Sequence, residues 1–448
     1  MNKLTIAAIV VLPGLGICLS APLQAEPLKD VLENVIKTNP GVLSTINHRR
    51  SADEELKVAK GGYFPKIDLT LGYGRERTDS PYTRSAGFDK PELTRREAEL
   101  TLRQLLFDGK GVGSEVNRQK ARLKSSAYLV YGASEEISLN AVEAYIEVLR
   151  QQELVALSRR NLENHQRTYE QIQLRSDTGV GRKADLEQAQ GRLSLAKANV
   201  LAAESDLNDA ETKYLYVVGN APKNLSKPPL LEQQLPKTEG EAIEVAVGNH
   251  PTLKSALADV EAAQAQHRAA KSLLYPRLDL ELSAARDKDL SGVTGENNTE
   301  QAMLRLRYNL FSGKSDSARV DQTSLLTQEA TEISNRTRRQ VEQATKMSWN
   351  AYVTAHARLT HLKDFLTSSE ATREAYGKQF NLGQRTLLDL LDSENEYYTA
   401  GTSYVTGQYT YLFAAYRLLQ NEGRLLESLG VHLPEEAVAP SDEKSKAD

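Results

Sequence analysis

Tyr63-Phe64-Pro65-Lys66-Ile67-Asp68-Leu69 is written a second time, 211 residues on, as Leu274-Tyr275-Pro276-Arg277-Leu278-Asp279-Leu280. Upstream, Glu33 aligns with Glu244, Ala52 with Ala263, Lys60 with Lys271, and Asn39-Pro40 with His250-Pro251. Downstream, Gln104-Leu105-Leu106-Phe107-Asp108-Gly109-Lys110 matches Tyr308-Asn309-Leu310-Phe311-Ser312-Gly313-Lys314 at an offset of 204, which Gly179/Gly383 and Asp185/Asp389 keep. The change from 211 to 204 puts a seven-residue length difference into one loop. A unit this long is no short-period solenoid. It predicts one body made of two equivalent halves.

Each half predicts the order helix, strand, loop, strand, long helix, tight turn, long helix. Ile67, Leu69, Leu71 and Tyr73 alternate with Lys66, Asp68, Thr70 and Gly72, and Ala98, Leu100 and Leu102 alternate with charged or hydroxyl neighbours. Leu278, Leu280 and Leu282, then Ala302, Leu304, Leu306 and Tyr308, repeat the period of two. The strands are expected at about 66–79, 95–107, 277–287 and 301–311. Taken alone they suit a soluble antiparallel sheet with one wet face. Runs of about ten residues with one apolar face also suit tilted transmembrane strands, and the export signal below favours that reading.

Four strands cannot close a membrane barrel, since bacterial barrels have eight or more. Open edges cannot sit in lipid either. A homotrimer supplying twelve strands resolves both problems. Long helices are expected at about 114–175 and 184–218, and again at 315–382 and 387–429. Between Ser114 and Arg175 there is no proline and only Gly132. At ~1.5 Å per residue that helix is roughly 90 Å long.

The first repeat thus spans 26–218 and the second 241–430, joined by a Pro-rich linker at 219–240 and followed by an expected disordered tail at 431–448. Residues 1–25 read as a signal peptide, with Lys3, an apolar core from Leu4 to Leu19, and Leu23-Gln24-Ala25 for cleavage. The lone cysteine, Cys18, follows Ile17, which does not suit lipid attachment. The formal charge of −4 excludes a strongly basic nucleic-acid footprint, so no nucleic-acid partner is expected.

The chain offers no case for an enzyme. Gly313-Lys314-Ser315 ends like a phosphate loop, but the glycine required five positions earlier is Tyr308. His356 and His361 are five apart, a poor metal spacing. No cofactor and no metal are expected. The turn from Phe380 to Asp392 is more informative. Gly383 ends one helix, Thr386 can cap the next, and Asp389 and Asp392 lie three apart on one face. On spacing alone these are solvated acids at a helix start. Repeated around a threefold axis they would form two carboxylate rings, with pKa values raised by mutual repulsion.

The duplicated Pro-x-[Ile/Leu]-Asp-Leu strand starts, the duplicated Leu-Phe-x-Gly-Lys corners and the two Gly-x5-Asp turns together resemble the TolC family of outer-membrane efflux and secretion ducts. The resemblance covers nearly the whole mature chain. It implies a mixed α+β membrane protein in which a trimeric twelve-stranded barrel continues into a long periplasmic α-helical barrel. It also implies that Asp389 and Asp392 form acid rings at the periplasmic entrance. Asp185 and Arg385 match positions whose polar links hold that entrance closed, and Phe380 falls where a well-known member has tyrosine. The turns at Gly179 and Gly383 would meet a periplasmic adaptor. The implied partners are outer-membrane lipid, that adaptor, and an inner-membrane ABC transporter serving type I secretion. A resistance–nodulation–division pump serving multidrug efflux is the alternative. A trimeric coiled-coil stalk is a third reading, but it has no use for four duplicated amphipathic strands.

Overall fold

A computed structural model describes residues 26–440. The leader expected at 1–25, with Cys18, and the end of the tail at 441–448 lie outside the described residues. The first repeat runs α1 (Leu28–Thr38), α2 (Pro40–Gly61), β1 (Lys66–Arg77), a short α3 (Pro81–Ser85), β2 (Glu92–Phe107), α4 (Gly111–Asp177) and α5 (Lys183–Val218). The second runs α6 (Glu239–Asn249), α7 (Pro251–Lys271), β3 (Arg277–Leu290), β4 (Val293–Arg307), α8 (Ser315–Asn381) and α9 (Leu387–Asn421), with α10 (Leu425–Ser428) behind it. The long helices α4 and α8 are each 67 residues, about 100 Å.

The extra residues of the first repeat are the β1–β2 connection that holds α3; β3 and β4 are joined by only Ser291 and Gly292. The strands are also longer or shifted relative to their sequence pattern. β1 stops at Arg77, β2 starts at Glu92, β3 runs to Leu290, and β4 begins at Val293 but ends at Arg307. Short, tight pairing at the hairpin tip extends β3 and β4 into polar residues such as Asn297 and Asn298, which alternation could not mark.

The repeated motifs are structural corners. Asn39 Oδ1 accepts the Gly41 N–H and His250 Nδ1 accepts the Thr252 N–H, so Asn39-Pro40 and His250-Pro251 are matching helix caps. At the strand-to-helix corner Gly109 and Lys110 are both left-handed (φ 64° and 70°), as are Gly313 and Lys314 (63° and 68°). A side chain on Gly109 would collide with Tyr275, its Cβ falling 2.6 Å from that residue's Cβ. Asp108 takes the first amides of α4, those of Gly111 and Val112, at 2.9 and 2.7 Å. The first repeat's corner is thus a turn whose anion the chain supplies, while at Gly313-Lys314-Ser315 the matching residue is Ser312, whose Oγ accepts the Asp316 N–H at 3.4 Å.

The four strands form one antiparallel sheet in the order β1-β2-β3-β4, which leaves β1 and β4 each with an open edge. Ile67, Leu69, Leu71, Tyr73, Leu304 and Leu306 are 63–79% exposed and share one face. The opposite face carries the charges. The main core lies away from the sheet, where α1, α2, α4, α9 and α10 meet. The Pro-rich segment between the repeats is tied to this core by tyrosine hydroxyls. Tyr145 donates to Ser226 O and Tyr416 to Pro229 O, at 2.6 and 2.5 Å.

Two boundaries need correction. The helix expected to run from 387 to 429 breaks after Asn421, because Gly423 adopts φ +67° to return the chain beneath Pro251. Nor is the tail disordered from 431: Val431 and Ala437 join the core, and Glu436 pairs with Arg50 at 2.8 Å. Their hydrophobicity is too sparse in sequence to announce that packing.

The break buries two acids. Glu135 of α4 accepts the Leu425 and Leu426 N–H groups at 3.1 Å and so caps α10, while burial pushes it up to about 8. Glu422 is wholly buried with neither carboxylate oxygen hydrogen-bonded, where the first repeat has Val218. Burial pushes it up to about 7; Arg424 opposes this and Glu241 adds to it. Both acids bind protons more readily folded than unfolded, so stability falls as pH rises from the ordinary 4.5 through 7 to 8. Thermal unfolding in detergent should therefore occur at higher temperature at acidic than at mildly alkaline pH. Glu422→Gln should raise the alkaline value, by on the order of 1–3 kcal/mol of stability, and narrow the gap. Identical pH profiles for the two proteins would contradict this reading of Glu422.

Candidate functional site

The ends of the long helices opposite the sheet carry the residues singled out in the sequence. Gly179 (φ +75°) and Gly383 (φ +74°) terminate α4 and α8. In the first turn Val180 and Gly181 N–H groups return to Arg175 O, at 3.0 and 2.8 Å. Gly181 is as constrained as Gly179, since its Cβ would fall 2.8 Å from the Ser176 nitrogen. In the second turn Gly383 N–H reaches Phe380 O at 3.0 Å and Gln384 N–H reaches Gln379 O at 2.9 Å.

Thr386 and Asp389 then form a reciprocal capping box. Asp389 Oδ2 accepts the Thr386 N–H and hydroxyl at 3.1 and 2.8 Å, and Thr386 Oγ1 accepts the Asp389 N–H at 3.3 Å. The Thr386 hydroxyl and amide hold Asp389 below the usual carboxylate range, with Arg385 acting the same way. Within the chain this is opposite in sign to the raised value expected for an acid ring.

Asp392 is not an isolated acid. Its Oδ1 pairs with Arg192 Nη2 at 2.9 Å, tying α9 to α5. Arg385 does not meet Asp185 within the chain: it stacks over Tyr376 at 4.1 Å and donates to Gln379 at 3.0 Å, while Asp185 lies in the first turn of α5. Phe380 is 6% exposed and packs with Ile172, Ala189, Leu387, Leu390 and Leu391, so one ring joins all four helices at the tip. Arg175 covers it at 5.1 Å. A little further from the tip, Glu394 accepts from Asn164 at 3.1 Å and lies 4.0 Å from Arg373, which stacks on Tyr397 at 4.3 Å.

An open sheet with a bare apolar face, leading into two helices of about 100 Å that each turn back at a polar tip into a shorter helix, suits one segment of a conduit wall. A family model described as outer membrane efflux protein matches residues 31–219 and 242–424, the two repeats in turn.

The chain belongs to the outer membrane efflux protein family.

It is 26% identical over 433 residues to the outer membrane efflux protein BepC of Brucella suis biovar 1, covering 96% of this chain and 92% of that one. It is 24% identical over 412 residues to the alkaline protease secretion protein AprF of Pseudomonas aeruginosa, covering 90% and 85%. Among solved structures it is similar to the outer membrane protein VceC of Vibrio cholerae, with a TM-score of 0.76, 17% identity, and coverage of 91% and 97%. The family and fold are those of outer-membrane channels with a periplasmic extension, not of enzymes. Among the described residues no group of three or more His, Asp or Glu side chains could hold a metal.

Sequence reasoning missed Arg192, Arg175, Gly181, Glu394 and Arg373. Arg192 and Asp392 are 200 positions apart, and no spacing rule links them. Gly181 was legible as the second glycine of Gly179-Val180-Gly181. Phe380→Ala should loosen the tips by roughly 3 kcal/mol. Amide hydrogen exchange around Ile172 and Leu390 should then accelerate by about two orders of magnitude, with the main core unchanged. Unchanged exchange at the tips would show that the ring does not join the helices energetically.

Proposed function

We propose that three copies of this chain form a duct of a tripartite export machine, and that its main work is type I secretion of protein cargo. Closure needs partners at the open edges of β1 and β4, and further copies of the same sheet supply them without an end. The observation that carries the secretion reading is the near full-length similarity to a relative named for alkaline protease secretion. The energy would come from an inner-membrane ABC transporter, with a periplasmic adaptor meeting the turns at Gly179 and Gly383. Asp389 and Asp392 would line the periplasmic entrance as two acid rings around the threefold axis. With Phe380 in the apolar cluster, the closed state would be held by Arg192–Asp392 and by the Glu394 contacts, which bind the inner helix pair to α4 and α5. Opening would part the Arg192–Asp392 ion pair and the Asn164–Glu394 hydrogen bond as α8 and α9 untwist.

A second reading, drug efflux with a resistance–nodulation–division pump, is favoured by the similarity to a relative named as an efflux protein. The two are separated by deleting the gene and comparing the secreted and surface proteome with that of the parent. Loss of one or two large proteins, with drug sensitivity unchanged, is the expected result. An intact proteome with accumulated dyes or antibiotics would replace the secretion reading with efflux.

A further inference from the structure

The charged face of the sheet contains an arrangement that a passive duct does not require. Lys66 stands directly opposite Arg103 across β1 and β2, and Arg277 directly opposite Arg307 across β3 and β4. Like charges facing each other across strands are destabilising. Both repeats nevertheless place such a pair at the equivalent strand ends, beside the corners that lead to the helices. In the ladder the Lys66–Arg103 row continues to Glu281 and Met303, four residues from Arg277 and Arg307. Arg305 adds a fifth cation on the same face.

Three carboxylates stand among these five: Asp279, Glu281, and Asp68, the next residue after Lys66 on this face. Asp279, wholly buried, accepts from Arg277 Nε at 3.0 Å and Arg307 Nη1 at 2.8 Å. Glu281 accepts from Arg305 Nε at 2.6 Å and Arg307 Nη2 at 2.5 Å, with Arg103 Nε at 3.3 Å. Two positive charges per chain are left over. The arginines stay accessible, their side chains 42–52% exposed. Further along the same face, toward the hairpin ends, the sign reverses at Glu99, Glu97 and Asp287. The excess is therefore a narrow band. Because the other face of the sheet is apolar and exposed, the band faces the lumen of a closed barrel.

We propose that this band is a basic collar that binds carboxylate-bearing segments of exported polypeptide as they pass from the helical duct into the barrel. The inference rests on the duct reading and adds a cargo-contacting site to it. Carboxylate is the ligand the array already accepts, twice, through Nε and Nη donors whose fork geometry suits it. Three copies around an axis turn the two surplus charges of each chain into a ring, where low-dielectric walls strengthen the field.

The test is block of the reconstituted trimer in a planar bilayer by polyaspartate. Wild-type current should be blocked by the peptide, less so as salt is raised, and not by an uncharged peptide of the same length. Lys66→Gln/Arg103→Gln leaves Asp279 both its partners and Glu281 two of its arginines, so the variant should still migrate as a trimer. Its block should weaken by about tenfold, a difference of ~1.4 kcal/mol. The charge-keeping pair Lys66→Arg/Arg103→Lys should restore it. A conducting wild-type pore that polyaspartate does not block, or equal block in the neutralised variant, would overturn the collar and leave the duct standing. Block by polyphosphate alone would overturn the carboxylate assignment. Failure to form any pore would overturn the duct reading, and the collar with it.

Discussion

Everything in this protein depends on the unpaired hydrogen-bonding groups along the outer edges of β1 and β4. Its strands are 12 to 16 residues long and carry an exposed apolar face, so the sheet belongs in hydrocarbon. There each unpaired backbone group costs several kcal/mol, and water cannot take it. Six residues such as Leu71 and Leu306 would likewise be costly in water. The two demands are met together only by closure with further sheets. A protomer in isolation is an incomplete solvation problem rather than a finished fold.

The corners translate that sheet into a duct. Two left-handed residues in succession, Gly109-Lys110 and Gly313-Lys314, turn each strand directly into a helix of 67 residues. With no proline inside them, these helices carry the wall about 100 Å from the sheet. Small buried residues, Ala and Ser along α4 and Ser and Thr along α8, allow close helix approach without a thick apolar core over much of that length. The bulky core is concentrated where the proline-bearing linker crosses, and tyrosine hydroxyls fix it there. Charge is graded along the same axis. At the tips acids and bases are mixed, Asp185, Asp389 and Asp392 sitting among Arg175, Arg182, Lys183, Arg192 and Arg385, whereas cations are in excess at the helix end of the sheet.

Local rules made much of this legible. Period-two alternation marked all four strands, and the repeat located the corner, the caps and the tip turns. What escaped were contacts between residues far apart in sequence. Asp389 reads as a free acid until Thr386 is seen to cap with it, which lowers its pKa rather than raising it. Asp392 reads the same way until Arg192 arrives from another helix. Phe380 reads as a lock residue lacking a hydroxyl, whereas its ring is the centre of the tip cluster. The break at Glu422-Gly423 escaped because Arg424 to Leu429 continue a helical pattern, and only the approach to Pro251 forces the turn. Residues 431–440 escaped because a few apolar side chains among charges suffice when a groove is ready for them.

The most direct test of the account is the mass of the intact, detergent-extracted protein by native mass spectrometry. Closure of a four-stranded sheet with twelve strands in all predicts an assembly of three chains that is lost on heating. A stable single chain would leave the strand edges open, and a dimer would close a barrel of eight strands instead of twelve; either result would contradict the account.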